Sequence, residues 1–148
     1  MAERGADATG VGGRRRRRAS WRHKAEVVVA SLVIPAALEL FSGARVMNAV
    51  RRLPPRARPT GERPQDVADR VDHVLYKLPW IWKRTCLRRA IVLAALLRRD
   101  GLDPEVVIGV RHSPDGVVEA HAWLRCDGTD PYLEPTDTST YIEMKSGA

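Results

Sequence analysis

Three side chains in the second half of the chain have the types and the order that nucleophilic catalysis requires. Cys86 begins an apolar segment, His121 lies in a later β-like segment, and Glu134 follows it. A thiolate can attack a carbonyl carbon, an imidazole can take up and return the proton, and a carboxylate can fix the tautomer of that imidazole. The sequence therefore predicts a Cys–His–acid site, provided that the fold brings the three residues together.

Cys86 is predicted at the first turn of a helix. The segment Cys86–Arg99 is rich in Ala and Leu, Thr85 is a suitable N-cap, and Gly101 is a natural stop. Unpaired backbone N–H groups and the positive end of the helix dipole favour a thiolate over a thiol there. Lys83 and the neighbouring Arg residues add to the positive potential. A free Cys is also commonly a small buried residue, so Cys86 alone does not define a site.

His121 is predicted in the middle of a strand. Glu105–Val110 is a short segment rich in β-branched residues and is predicted as a strand, and Val117–Cys126 is predicted as a second strand after a turn sequence at Ser113–Gly116. The two segments are predicted to pair antiparallel. Alternation along the second places His121 and Trp123 on one face of the sheet, opposite a face of small apolar residues.

An acidic residue after this hairpin could orient the imidazole. Glu134 follows the Asp-Gly hairpin signal at Asp127 and is predicted in a short edge strand around residues 132–134, next to the strand of the histidine. Asp127 is better explained by the turn itself. Asp130 and Asp137 remain alternatives for the third catalytic residue.

Other kinds of site are not indicated. Two Cys residues are too few for a disulfide-rich scaffold or a four-Cys zinc module, and no paired Cys-x-x-Cys is present. The glycines at Gly10–Gly13 do not join a strand to a helix, as a phosphate-binding loop would. We therefore expect no metal and no cofactor, and a structural role for Cys126.

The first 64 residues are predicted to lie outside the catalytic core. Residues 1–25 are interpreted as a disordered basic tail, and residues 26–64 as an apolar helix over Val27–Phe41 followed by a Pro-rich linker. The core is assigned to residues 65–148 and begins with a helix over Gln65–Leu78. Pro35 is expected to kink or interrupt the apolar helix. No apolar run approaches the roughly 18–20 residues that cross a bilayer.

The positive charge of the chain is concentrated at one end. The 148 residues carry a net charge of +7, and residues 1–60 contain 13 Lys and Arg against 4 Asp and Glu, a net of +9. The five-residue run Arg14–Arg18 is either a solvated tail or a site for an anionic partner, which could be a membrane surface or nucleic acid. Because the basic excess belongs to one end, nucleic acid is not expected as a partner.

Helices followed by an antiparallel sheet indicate the α+β class, with N-terminal helices and a nucleophile helix packed on a small sheet.

Five short segments occur in an order that carries a family resemblance: Cys86–Ala90, Leu96–Leu102, Val107–Arg111, Ala120–Trp123 and Glu134–Thr136. Together they resemble the transglutaminase-like leader peptidases of lasso-peptide biosynthesis, over roughly residues 65–145. The apolar helix and basic spacer upstream are also similar to that family's N-terminal region. The family has Asp-Pro-Thr where this chain has Glu-Pro-Thr, so the acid here is one methylene longer.

The resemblance implies a papain-like cysteine peptidase that removes the leader from a ribosomally made precursor peptide. Cys86 would be the nucleophile, His121 the general base and then acid, and Glu134 the residue that orients the imidazole. Implied partners are the precursor, a separate small leader-binding protein and an ATP-dependent macrolactam synthetase. A cytoplasmic location is expected, with the basic segment available for contact with the inner face of the membrane. The alternative is a catalytically inactive scaffold of the same superfamily.

Overall fold

Four helices precede four strands in the fold. The computed structural model describes residues 10–78 and 85–144, with side chains described from residue 21 onwards. The helices are α1 Gly10–Leu40, α2 Gly43–Arg51, α3 Pro64–Lys77 and α4 Cys86–Arg99, and the strands are β1 Glu105–His112, β2 Val118–Cys126, β3 Thr129–Tyr132 and β4 Ile142–Glu143. This order confirms the predicted α+β class.

The N-terminal helix is longer than the sequence indicated. Residues 10–25, interpreted as part of a disordered tail over residues 1–25, belong to α1, whereas residues 1–9 lie outside the described part of the chain. Arg has a high helix propensity, and the apolar part of α1 is anchored in the core at Val27, so the helix can extend towards its N-terminus. The helix also continues through Pro35 to Leu40. Among the described residues, no helix has the combination of length and hydropathy needed to cross a membrane.

Helix α4 lies at the centre of the core. Its nine consecutive residues from Arg89 to Leu97 are all buried. The other three helices pack around it through apolar side chains, among them Val27 of α1, Val50 of α2 and Val71 of α3. The small side chains of its alanines allow close approach on several sides. The N-terminal helices therefore share one hydrophobic core with the helix that begins at Cys86.

The sheet covers the remaining side of α4. It is antiparallel with the strand order β3-β2-β1-β4, and in the long β1–β2 hairpin Gly109 lies opposite His121 and Ile108 opposite Ala122. Ala122 and Leu124 belong to the core cluster around α4, and the partly buried Ile108 packs against it. Since side chains alternate along a strand, His121 and Trp123 project from the other face of β2, as alternation predicted.

The edge strand β3 ends before the predicted acid. The residues Asp127 and Gly128 have positive φ angles of 49° and 77°, the conformation of a tight hairpin turn, and β3 follows at once as Thr129–Tyr132. The sequence placed a strand at residues 132–134 instead. Pro131 is tolerated in β3 because this strand lies at the edge of the sheet. Glu134 consequently lies in the connection between β3 and β4.

Candidate active site

Cys86 is the first residue of α4. Thr85 caps the helix as predicted, since its Oγ1 accepts a hydrogen bond from the backbone N–H of Arg88 at 3.2 Å. The Cys86 side chain is half-buried, contacts the edge of the core cluster and is not in a disulfide. Lys83 and Arg84, which were expected to add positive potential, lie in residues 79–84, outside the described residues. The free N–H groups of a first helical turn are suited to bind a developing oxyanion.

His121 is held in an aromatic setting on β2. Its ring lies 6.1 Å from the ring of Trp123, nearly parallel to it, and 5.4 Å from that of Tyr141. The imidazole is only 14% exposed. The Trp123 indole N–H donates to Asp130 at 2.6 Å, which fixes one of these two aromatic neighbours. A ring packed in this way has little freedom to turn away from a partner.

Glu134 lies against the imidazole. Its Oε1 is 3.4 Å from His121 Nε2, and its side chain is 4% exposed. The same oxygen accepts a hydrogen bond from the backbone N–H of Thr136 at 3.1 Å. The contact with His121 is longer than a good hydrogen bond, and such contacts commonly tighten only when substrate is bound. Because Nε2 faces the acid, Nδ1 is the ring nitrogen left for a thiol.

The two alternative acids are occupied elsewhere. Asp130 accepts hydrogen bonds from Trp123 and from the guanidinium of Arg125, at 2.6 and 2.7 Å. Asp137 accepts the backbone N–H of Ser139 at 2.9 Å, and this hydrogen bond lowers the pKa of the Asp137 carboxyl. Of the three acids that the sequence left open, Glu134 is thus the one that the structure places beside His121.

Arg89 is a residue whose part in this site the sequence analysis missed. It lies one helical turn after Cys86, and its guanidinium reaches the acid loop, the turn after β3 that carries Leu133 and Glu134. Its Nη2 donates to the backbone oxygen of Leu133 at 3.0 Å, and its Nη1 lies 3.5 Å from Glu134 Oε2. On its other side it forms two hydrogen bonds with Asp72 of α3, at 2.8 and 3.1 Å. The sequence offers only a weak signal for this role, since Arg88 and Arg89 are both followed by the apolar stretch of α4 and only the fold shows that Arg89 is the buried one, which needs partners.

The remaining cysteine differs from Cys86. Cys126 is 2% exposed at the end of β2, and burial raises the pKa of its thiol, which disfavours the reactive thiolate. Within the described ranges, His, Cys, Asp and Glu side chains form no group of three that could hold a metal ion. Among the candidate residues, the structure brings the His121 imidazole and the Glu134 carboxylate together, and Cys86 begins the helix that packs on the strand of His121. Thiol, imidazole and carboxylate are the groups of acyl-transfer chemistry.

Comparison with known proteins identifies the family. The family model of the transglutaminase-like superfamily matches residues 28–144, a span that begins within α1 and ends just after β4. No curated protein and no solved structure matches the chain significantly. The family match covers most of the chain and includes Cys86, His121 and Glu134, together with α2, α3 and the C-terminal part of α1. The chain belongs to the transglutaminase-like superfamily.

Proposed function

We propose that the protein is a cysteine peptidase that removes the leader from a ribosomally made precursor peptide, as in lasso-peptide maturation. The superfamily includes cysteine peptidases. The observation that carries the proposal is the 3.4 Å contact of Glu134 with His121 Nε2, on a site whose helix begins at Cys86. The resemblance of the Cys86, His-Ala-Trp and Glu-Pro-Thr segments to the lasso-peptide leader peptidases supports the substrate class.

Each residue has a role that follows from its position. The thiolate of Cys86 attacks the carbonyl carbon at the leader–core junction, and backbone N–H groups at the start of α4 bind the oxyanion. His121, whose Nε2 faces Glu134, uses Nδ1 to take the thiol proton and then give it to the leaving amine. The amine product is the core peptide with a free N-terminus. Water then attacks the thioester, returns the enzyme to its thiol form and releases the leader with a new carboxylate.

The proposed partners follow from this reaction. The substrate is the precursor, and a separate small leader-binding protein is proposed to deliver it. An ATP-dependent macrolactam synthetase is proposed to consume the free amine of the product. These assignments are supported by the resemblance of the sequence motifs to those of the lasso-peptide leader peptidases.

A peripheral contact with the inner face of the cytoplasmic membrane is also proposed for α1. The basic run Arg14–Arg18 lies in this helix. Further along, Trp21, Val29 and Val33 are 72%, 55% and 58% exposed, so apolar side chains are available beside the basic residues. Basic residues and an apolar helix surface together support reversible binding to anionic lipid.

The decisive experiment replaces the nucleophile. Purified Cys86→Ala and Cys86→Ser proteins should lose leader removal from a precursor peptide by several orders of magnitude and keep the wild-type circular dichroism spectrum. Cys126→Ala is the matched control, because it removes the other thiol and should still cleave. The competing function, an inactive scaffold, requires that Cys86→Ala support peptide maturation as well as the wild type does. Cleavage near the wild-type rate by Cys86→Ala would reject the peptidase.

A further inference from the structure

The guanidinium of Arg89 is the point at which three parts of the fold meet. Arg89 is 6% exposed and lies near the start of the core helix α4, one turn after Cys86. Its Nε and Nη2 donate to the two carboxylate oxygens of Asp72 on α3, and its Nη1 and Nη2 face Glu134 and the backbone oxygen of Leu133. Few long charged side chains are buried without such partners, because the loss of hydration must be offset by several contacts. Each of these contacts therefore constrains where Arg89 and its neighbours can lie.

The acid loop needs such a constraint. Glu134 lies beyond the last residue of β3, so the sheet does not hold it, and the residue before it, Leu133, has a positive φ of 54°. This backbone conformation is unfavourable for a side chain such as that of Leu and persists when surrounding contacts maintain it. Arg89 supplies two contacts to this turn, one to the Leu133 backbone and one to the Glu134 carboxylate.

Arg89 also links the position of Glu134 to that of Cys86. Cys86 and Arg89 are three residues apart on one helix and are therefore neighbours on its surface. A guanidinium with two parallel hydrogen bonds to Asp72 is fixed in its plane and cannot follow the loop if the loop moves. The contact between Arg89 and Glu134 thus ties the partner of His121 to the helix that carries the nucleophile.

We propose that Arg89 is a positioning residue of the active site: clamped by Asp72, it holds Glu134 against His121 and sets the acid–imidazole pair relative to Cys86. For its activity readout this inference rests on the proposed peptidase function. It adds to the proposed Cys–His–Glu site the Asp72–Arg89 pair, in which the guanidinium is buried and the carboxylate is 26% exposed, and it assigns to both residues the role of positioning Glu134.

The test compares Arg89→Gln and Arg89→Lys with Arg98→Gln. Arg98 is the matched control because it lies on the same helix and pairs with an aspartate, Asp103, at the opposite end from Cys86. For each folded variant, kcat and KM are measured with the precursor, and alkylation of Cys86 by iodoacetamide at pH 6 is followed by mass spectrometry, which separates Cys86 from Cys126. Alkylation reports on the thiolate and needs no substrate.

Arg89→Gln should lower kcat by about ten- to hundredfold, the cost of a small misplacement of a catalytic group. Its KM should stay within about twofold, because the Arg89 side chain binds Glu134 and Leu133 and does not bind the substrate. Arg89→Lys should give an intermediate kcat, since Lys keeps the positive charge and lacks the planar fork. Alkylation of Cys86 should slow in the same order, and Arg98→Gln should behave as the wild type. A kcat of Arg89→Gln equal to that of the wild type would overturn the inference.

A double-mutant comparison separates positioning from general damage. In a Glu134→Gln background, Arg89→Gln should lower kcat by less than about threefold more, because its effect passes through the carboxylate already removed. Equal losses in both backgrounds would overturn the inference. If Arg89→Gln does not fold, Asp72→Asn provides the same test from the other side of the clamp, and a folded Asp72→Asn protein with unchanged kcat would reject the proposal.

The outcomes for the inference and for the peptidase function are distinguishable. If the wild type cleaves the precursor and Arg89→Gln cleaves it equally fast, the positioning role fails and the peptidase stands. If the wild type does not cleave, yet Arg89→Gln slows alkylation of Cys86, the clamp stands and the assigned substrate reaction fails.

Discussion

Trp123 lies across the backbone of Gly109, the residue paired with His121 on the neighbouring strand. A methyl group at position 109 would lie 2.6 Å from the Trp123 ring atom Cη2 and 3.0 Å from Cβ of Tyr141. The glycine therefore makes room for the two aromatic side chains that pack around the imidazole. The position of the proposed general base depends on the absence of a side chain on the opposite strand.

Gly109→Ala should test this dependence. The added methyl must push the Trp123 ring aside, so we expect a loss of about 1–3 kcal/mol in the free energy of unfolding. Cleavage should fall as well, because Trp123 and Tyr141 flank His121. Urea unfolding and kcat measure the two effects. Gly43→Ala is the control, since the space around Gly43 is open, and it should leave both quantities near the wild type. A Gly109→Ala protein as stable as Gly43→Ala would contradict the packing argument.

Substitutions can identify which acidic residue acts with His121. Glu134→Gln should lower kcat by about tenfold or more, because an amide cannot stabilise the imidazolium that forms during catalysis. Glu134→Asp should retain more activity than Glu134→Gln, since it keeps the negative charge. Asp137→Asn should cleave normally, because Asp137 serves its own turn through Ser139. If Asp137→Asn were the inactive variant and Glu134→Gln the active one, the third catalytic residue would have to be reassigned.

The parts of the site that could be predicted from the sequence are those set by local structure. Cys86 at a helix start follows from the Thr85 cap and the Ala/Leu-rich segment, and the face of His121 follows from strand alternation; the structure confirms both elements. The clamp could not be predicted, because Asp72 and Arg89 come from separate helices. Only tertiary packing brings them to the loop of Glu134, and no periodicity in the chain signals that convergence.

Residues 10–25 were predicted as part of a disordered tail and lie in a helix, and the physical reason differs from that for the missed Arg89 contacts. The run Arg14–Arg18 has no apolar periodicity, which is typical of a disordered segment, and the sequence was interpreted in that way. Helix formation is cooperative, however, and a helix already fixed further along the chain needs no new nucleus to extend. Val27 and Ile34 pack in the core and fix α1 there, so the preceding residues continue the helix. This anchoring is a tertiary effect that the composition of the basic run does not reveal.

A buried histidine on α1, outside the candidate site, predicts how the stability of the protein depends on pH. His23 is 1% exposed, and its Nε2 lies 3.2 Å from Glu62 Oε2, with Arg56, Arg70 and Asp100 also acting on it. Burial lowers the pKa of His23, although Glu62 opposes the shift. In the unfolded chain the pKa of His is about 6.5, so below that pH the unfolded chain binds more protons than the folded protein. The stability that neutral His23 contributes to the folded protein is fully present above about pH 6.5. It is lost as the pH falls towards the lowered pKa that His23 has in the folded protein.

The free energy of unfolding, measured in urea, should accordingly fall between pH 7.5 and pH 5.5. His23→Gln should show a smaller fall over the same range, because its side chain does not titrate. The comparison is between slopes, so any overall loss of stability in the variant does not affect it. Identical slopes for the two proteins would show that His23 does not couple protonation to folding.

The basic end of α1 should serve localisation and not catalysis. Residues 1–60 carry a net charge of +9, and each basic residue near an anionic membrane contributes about 1 kcal/mol of binding, which salt screens. Deletion of Met1–Ser20 removes a net charge of +4 from this end, including the run Arg14–Arg18, and leaves the segment from Val27 that packs on the core. We therefore expect cleavage of a soluble precursor to be nearly unchanged, and sedimentation with anionic vesicles, or capture by the macrolactam synthetase, to fall.

Deletion of Val27–Phe41 tests the apolar part of α1 separately from its basic end. This segment contributes Val27 and Ile34 to the core around α4, so its removal should lower the melting temperature and cleavage together. Vesicles of neutral lipid and a high-salt wash control for the electrostatic part of the binding. Loss of cleavage in solution after the Met1–Ser20 deletion would refute the localisation role. So would vesicle and synthetase binding that are both unaffected by that deletion, because the charge that distinguishes this end of the chain would then have no measurable partner.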